Sequence, residues 1–182
     1  MAQDPAILLE RLSGQAPRRY STFGFGRIRD NQCLSVVVPE DEAQALVSAL
    51  RKQLPPEFVA FVGTTDWLGD ERHDGKAEVV VGKGESQFDI LRLARTDACN
   101  YDMDTEEVIT KLQSWHRSCG IDIFHAETDT VEFTLDNLPA DIRAFANEVY
   151  EFCPDIVEQG VGSVDELEQI IKGYQYVYLW WD

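Results

Sequence analysis

Asp102, Asp104, Glu106 and Glu107 place four carboxylates within six residues, and hard cations such as Mg2+ and Ca2+ take oxygen ligands of this kind. The stretch lacks the glycine and distal glutamate of a calcium-binding loop, while acids in a first helical turn already complement the helix dipole. Helix capping is the expected role, and no metal is expected. His73, His116 and His125 show no HExxH or other short metal spacing. His125 falls among apolar residues of a predicted strand, the setting of a satisfied structural histidine. Cys33, Cys99, Cys119 and Cys153 form no CxxC pair, which leaves a structural zinc site without support. A catalytic thiol needs a pKa lowered by a helix N-terminus or a cationic neighbour. Cys119 and Cys153 instead fall near predicted helix C-termini in acidic surroundings, and all four cysteines read as small buried hydrophobes.

Two glycine-containing stretches invite a phosphate-binding reading, and both fall short of it. Phe23-Gly24-Phe25-Gly26 is a fragment of a dinucleotide fingerprint that follows no predicted strand and lacks the third glycine. Gly82-Lys83-Gly84-Glu85-Ser86 does follow a strand, but the GxxxxGK[ST] spacing is missing and too few backbone amides would converge on an anion. A plain turn is expected there, and no cofactor.

Charge narrows the partners further. The chain of 182 residues carries a formal charge of −17. Residues 97–182 hold 19 Asp/Glu against 4 Lys/Arg, whereas residues 1–96 hold 14 against 12. So skewed a field repels phosphate backbones, and nucleic acid is not an expected partner. The arginines at 18, 19, 27 and 29 make a local basic stretch whose simplest use is docking on the protein's own acidic half. No apolar run approaches the roughly 20 residues needed to span a bilayer. The opening MAQDPAILLERL has acids and an amphipathic pattern where a signal peptide has bases and an unbroken apolar stretch. A soluble, cytoplasmic protein that does not engage membranes is expected.

The elements that must position these groups follow from periodicity and punctuation. Residues 3–13 read as a helix, and residues 14–32, with their Gly, Pro and Arg content, as an irregular arm. A strand at Cys33–Val38, a helix over 40–53 ended by Pro55-Pro56, and strands at 57–63 and 77–81 give a β-α-β-β half over residues 33–95. The stretch SQFDILRLART reads as a helix. In residues 96–182, Asp104 and Glu107 form a capping box for a helix with Val108, Ile109, Leu112, Trp115 and Cys119 on one stripe, ended by Gly120. Two strands (IDIFHAE, TVEFTLD), a helix over 139–152, and a helix opened by Ser163 with Glu166 and running to about Lys172 follow. The terminal YQYVYLWW strand has apolar or amphipathic residues on both alternating faces, which predicts a central strand. The expected class is α+β (mixed α/β), a sheet of about five to six strands with helices packed on it.

Several short motifs mark the last half. They are Arg95-Thr96-Asp97 with Asn100-Tyr101-Asp102, Ser114-Trp115 on a helix, Phe152-Cys153-Pro154-Asp155, Gln159-Gly160-Val161-Gly162, and the terminal Leu179-Trp180-Trp181-Asp182. In this combination the chain from about Thr96 onward resembles a bacterial family catalogued as a domain of unknown function (number 4253). The resemblance implies an identity for residues 96–182 and brings no activity with it. His116 stands where that family's patterns often show an aspartate. Physically, Pro154 must end its helix, Asp155 can bind backbone amides of the following loop, and Trp180 and Trp181 are large apolar anchors. A binding surface or pocket built on Asp155, Gln159, Trp180, Trp181 and Asp182 is the functional counterpart of a loop shaped only for packing.

Two functions remain in view, beside a blander structural accessory domain whose binding surface is the aromatic C-terminal strand. The leading expectation is a non-enzymatic acidic module, immunity- or antitoxin-like, that masks a basic protein partner. The alternative is a hydrolase or transferase near the C-terminal motifs, with Asp97, Asp102, His116 and Asp155 as the acid–base set.

Overall fold

The computed structural model of the chain describes residues 4–22, 28–65 and 75–182. The Phe23–Gly26 motif, Arg27 and His73 lie outside the described residues, as does the Arg29 side chain. The chain divides into two compact units.

The first unit comprises Met1–Arg95 with Phe124–Thr128. Helix α1 (Pro5–Ser13) starts where the Asp4 carboxylate accepts the Ala6 N–H and stops at Gly14 in a left-handed conformation. Strands β1 (Arg18–Thr22) and β2 (Ile28–Pro39) pair antiparallel. The stretch expected as an irregular arm is therefore largely strand. Its alternation, exposed Arg18 and buried Tyr20 and Thr22, is carried by polar and aromatic residues rather than by aliphatic ones, and so hides from a hydrophobic-run criterion. Helix α2 (Glu40–Arg51) follows, then β3 (Phe58–Val62), β4 (Lys76–Lys83) and the short α3 (Asp89–Ala94). β4 pairs antiparallel with both β2 and β3. Leu8 and Leu9 of α1 and Ala43, Leu46, Val47 and Leu50 of α2 share a buried core with alternate valines and alanines of β2, β3 and β4. The other side of the same strands carries Ser35, Phe61 and Glu78, with Tyr20 of β1 packed edge to face on Phe61.

The second unit comprises Thr96–Ile123 and Asp129–Asp182. After a 3-10 turn (Cys99–Tyr101) come α4 (Thr105–Cys119), α5 (Ile142–Phe152), a π-helical turn (Ile156–Val161) and α6 (Val164–Tyr174). The capping box at α4 is complete: Asp104 accepts the Glu107 N–H at 2.9 Å and Glu107 accepts the Asp104 N–H at 2.9 Å. α4 ends at Gly120, whose φ of 70° suits glycine and where an added Cβ would stand 2.8 Å from the Asp136 Cβ. Its apolar stripe is the expected Val108, Ile109, Leu112, Trp115 and Cys119. Strands β6 (Thr130–Leu135) and β7 (Tyr176–Trp180) pair antiparallel, with Glu132 opposite Tyr178 and Thr130 opposite Trp180.

β5 (Ile121–Ala126) contributes residues to both units, and its His125 pairs parallel with Val62 of β3. The strands hydrogen-bond in the order β1-β2-β4-β3-β5-β6-β7, a mixed seven-stranded sheet with helices packed on it. The class is the expected α+β. β7 departs from its expected central place, because it stands last in the order with β6 as its ladder partner. Its Val177, Leu179 and Trp181 are buried, whereas Tyr176, Tyr178 and Trp180 keep solvent access. Tyrosine and tryptophan tolerate a half-wet face, so aromatic content on both sides does not require burial on both sides. Among the described residues no helix is long and apolar enough to cross a membrane.

Candidate functional site

Pro154 ends α5 as its missing N–H and its restriction on Cys153 require, leaving Cys153 extended at φ −140°. The chain then turns through the π-helical segment, with Asp155 at its start. The Asp155 carboxylate is 95% removed from solvent and fully engaged. Its Oδ1 accepts the Gln159 Nε2–H at 3.1 Å and its Oδ2 accepts the backbone N–H of Asp182 at 3.0 Å. The Tyr101 hydroxyl supplies a third donor. Burial alone would raise the Asp155 pKa, but these three donors outweigh it and hold the carboxyl below its usual range. The reciprocal effect is that the bond to Asp155 raises the Tyr101 hydroxyl to about 12.

Cys153 continues the same clamp. Its Sγ–H donates to the Trp180 carbonyl at 3.0 Å, and the Trp180 N–H donates to Sγ at 3.3 Å. Burial, reinforced by the Asp155 charge, raises the thiol to about 12. It is a hydrogen-bonding core group and a poor nucleophile at neutral pH. One residue on, the Trp181 indole donates to the Phe152 carbonyl at 3.2 Å, and its ring meets Phe152 edge to face at 5.5 Å. Phe152 leads to Trp115, which contacts Phe133 and Phe145 as well. The Trp115 indole in turn donates to Glu148 Oε2 at 3.1 Å, beside Lys111. Asp155, Gln159, Trp180, Trp181 and Asp182 thus form one connected cluster, and its connections run inward.

Residues 78–182 match the family model of a domain of unknown function, DUF4253, over more than half of the chain. The chain belongs to this family. No curated protein and no solved structure matches it. The DUF4253 motifs acquire physical roles here. Tyr101, Phe152-Cys153-Pro154-Asp155, Gln159 and Trp180-Trp181-Asp182 hold each other by hydrogen bonds and ring contacts. Arg95 and Asp102 occupy left-handed positions at φ 60° and 55° that end the turns before them.

The remaining acid–base set is spread over different duties. Asp97 lies half-buried between α3 and the 3-10 turn, and Asp102 is exposed. His116 is exposed on the last turn of α4, where its Nδ1 accepts the Ile121 N–H at 3.0 Å. The structure joins Asp155 to Tyr101 by a hydrogen bond, leaves Asp102 exposed, and commits His116 to its own helix end. Cys99, expected to be buried like the other cysteines, is exposed in the 3-10 turn. Among the described residues no group of three or more His, Cys, Asp or Glu is arranged to hold a metal. In the Gly82–Ser86 turn, Asp89 Oδ2 accepts the Glu85 and Ser86 N–H groups at 2.9 and 3.0 Å, so the chain itself fills the place an anion would take.

One group of residues went unrecognised in the sequence but for His125, which was expected as a satisfied structural histidine. In the first unit, Glu78 is 2% exposed at the middle of β4; its Oε1 accepts from Arg18 Nη2 at 2.9 Å and from Ser35 Oγ at 2.5 Å. Tyr20 bonds Thr64, and burial together with the nearby Glu78 and Glu127 charges raises its pKa. His125 Nε2 lies 3.0 Å from the Gly63 carbonyl and 3.1 Å from Glu127 Oε1, which also accepts from Thr65. A charged residue inside AEVVV was the available signal, since an acid there must find partners within the sheet. The buried members of this chain are satisfied by one another, as the interior requires.

Proposed function

We propose that this DUF4253 protein is a non-enzymatic, acidic binding module that masks a basic protein partner, in the manner of an immunity protein or antitoxin. The observation that carries the reading is where the second unit keeps its charge. It has 18 carboxylates against 4 Lys/Arg, and only Asp155 among those carboxylates is buried. Two of the four bases are already engaged: Lys111 with Glu148 at 3.2 Å, and Arg143 with Asp165 and Glu168. Surface carboxylates in such excess produce a long-range field that accelerates capture of a positively charged protein. The C-terminal motif residues hold the unit's own loops and strand, which suits a rigid presenting surface.

The test is affinity capture from host cells at about 0.05 M and about 0.15 M salt, where the screening length is near 8 Å, followed by reconstitution with the purified partner. A saturable complex with a basic protein is expected, with an association rate that falls steeply as salt rises. Recovery of no saturable basic partner overturns the proposal.

A further inference from the structure

Gly160 is a glycine that the fold itself does not require. Its φ lies outside the left-handed region, and an added Cβ would meet only the Asp155 carbonyl oxygen, at 3.8 Å, an ordinary contact. It stands exposed in the π-helical turn, where glycine loses more chain freedom on folding than alanine would. Gly162, two residues on, differs, because its φ of 87° closes the turn in the left-handed region. A glycine that costs stability and relieves no strain within the chain offers bare backbone to something that approaches from outside. Its surroundings say what would approach. Asp155 holds the Tyr101 hydroxyl, the Gln159 side chain and the Asp182 N–H, so three separate stretches of chain meet at one patch. Tyr101 is 37% exposed and pinned by its hydroxyl, and Asp102, Glu158 and Asp182 are exposed as well. Residues 96–110, 144–171 and 173–182 contain no Lys or Arg. Glu158 Oε1 accepts from the Tyr150 hydroxyl at 3.1 Å; among the described residues its other oxygen takes no partner.

Resting on the acidic-module reading above, we propose that this patch is where the basic partner docks. An arginine-bearing segment passes close over Gly160, stacks a guanidinium group on the Tyr101 ring and pairs with Glu158. An aromatic ring face carries negative potential and attracts cations, arginine above all, because its planar group stacks and is weakly hydrated. The Glu158 charge already acts on the Tyr101 hydroxyl, so ring and carboxylate address the same place. Gly160 adjoins Gln159, which shares Asp155 with Tyr101, and its missing side chain lets a partner backbone come near. An acidic segment would be repelled by Glu158, Asp102 and Asp182, and a neutral one would gain nothing from them. Charge complementarity therefore selects a cationic occupant.

The test uses the full chain and a fluorescent nona-arginine peptide, read by anisotropy at several salt concentrations. Tyr101→Leu and Tyr101→Phe both lose the bond to Asp155, but only Phe keeps the ring. Glu158→Gln removes the carboxylate, and Gly160→Leu fills the bare backbone. Asp136→Asn is the charge control, since Asp136 is exposed and bonds Gly120 at the far end of α4, about 22 Å along that helix. The expected result is saturable binding that weakens about 3- to 10-fold in Tyr101→Leu, Glu158→Gln and Gly160→Leu, on the scale of one lost cation–π or ion-pair contact. It stays near wild type in Tyr101→Phe and shifts less than about 2-fold in Asp136→Asn. Gly160→Ala should leave the urea midpoint unchanged or raise it. Circular dichroism of each variant establishes that it is folded. If the three patch variants weaken binding no more than Asp136→Asn does, or if Gly160→Ala lowers the midpoint, the docking patch is overturned while the acidic-module reading stands. If wild type fails to bind the peptide even at low salt, both fall.

Discussion

Asp155 concentrates more of the second unit's order in one side chain than any other residue of the family motifs. Three donors, the nearby Gln159 and the distant Tyr101 and Asp182, converge on its two oxygens. In Asp155→Asn one oxygen becomes an NH2 group that faces a donor, so at least one part-buried hydrogen bond is lost. The expected cost at neutral pH is about 1–3 kcal/mol, read as a shift in the urea midpoint. The carboxyl's folded pKa is depressed, so its stabilisation is complete above the ordinary Asp value of about 3.9 and is lost as pH falls through the folded value. Urea titrations at neutral pH and below about pH 4 should therefore show the gap between wild type and Asp155→Asn narrowing on acidification. The sequence made Asp155 visible as a residue worth watching, because an acid after Cys-Pro suggests a loop anchor. Gln159 lies only four residues on, but Asp182 and Tyr101 lie 27 and 54 residues away, and no spacing rule reaches that far.

Among the elements, β7 shows how two adjacent tryptophans come to differ. Trp181 points inward, donates to Phe152 and packs on its ring; Trp180 points outward and is tied to Cys153 only through its backbone. Replacing Trp181 by Ala should cost about 3–5 kcal/mol, the penalty for emptying a well-packed aromatic site. The same change at Trp180 should cost less, since Trp180 is only half-buried in the folded state. Equal losses in chemical denaturation would contradict this assignment of faces. The helices were legible in advance because their signals are local. Asp104 and Glu107 stand one turn apart, Pro154 and Gly120 stop helices by their own backbone chemistry, and a 3.6-residue stripe reports its own inward side. β7 was legible as a strand and not as an edge, since strand position depends on which other strand supplies its partner.

For the whole molecule the governing quantity is charge. With −17 on 182 residues, folding brings like charges together, and screening should relieve that cost. Raising ionic strength from about 0.01 M to about 0.15 M shortens the screening length from about 30 Å to about 8 Å. The thermal midpoint is expected to rise over that range, measured by calorimetry in a weakly binding salt; a fall would mean that attractive pairs such as Arg143 with Asp165 and Glu168 outweigh repulsion. The charge and its asymmetry, the α+β class, and the helix starts and stops were legible in the residues alone, because composition needs no structure and capping acts within one turn. That Asp155 and Cys153 face inward, that Glu78 and His125 are buried among polar partners, and that Tyr178 of β7 meets solvent emerged only on folding. Those outcomes depend on sheet register and on hydrogen bonds between residues tens of positions apart, where chain entropy hides the pairing until the fold closes the loops.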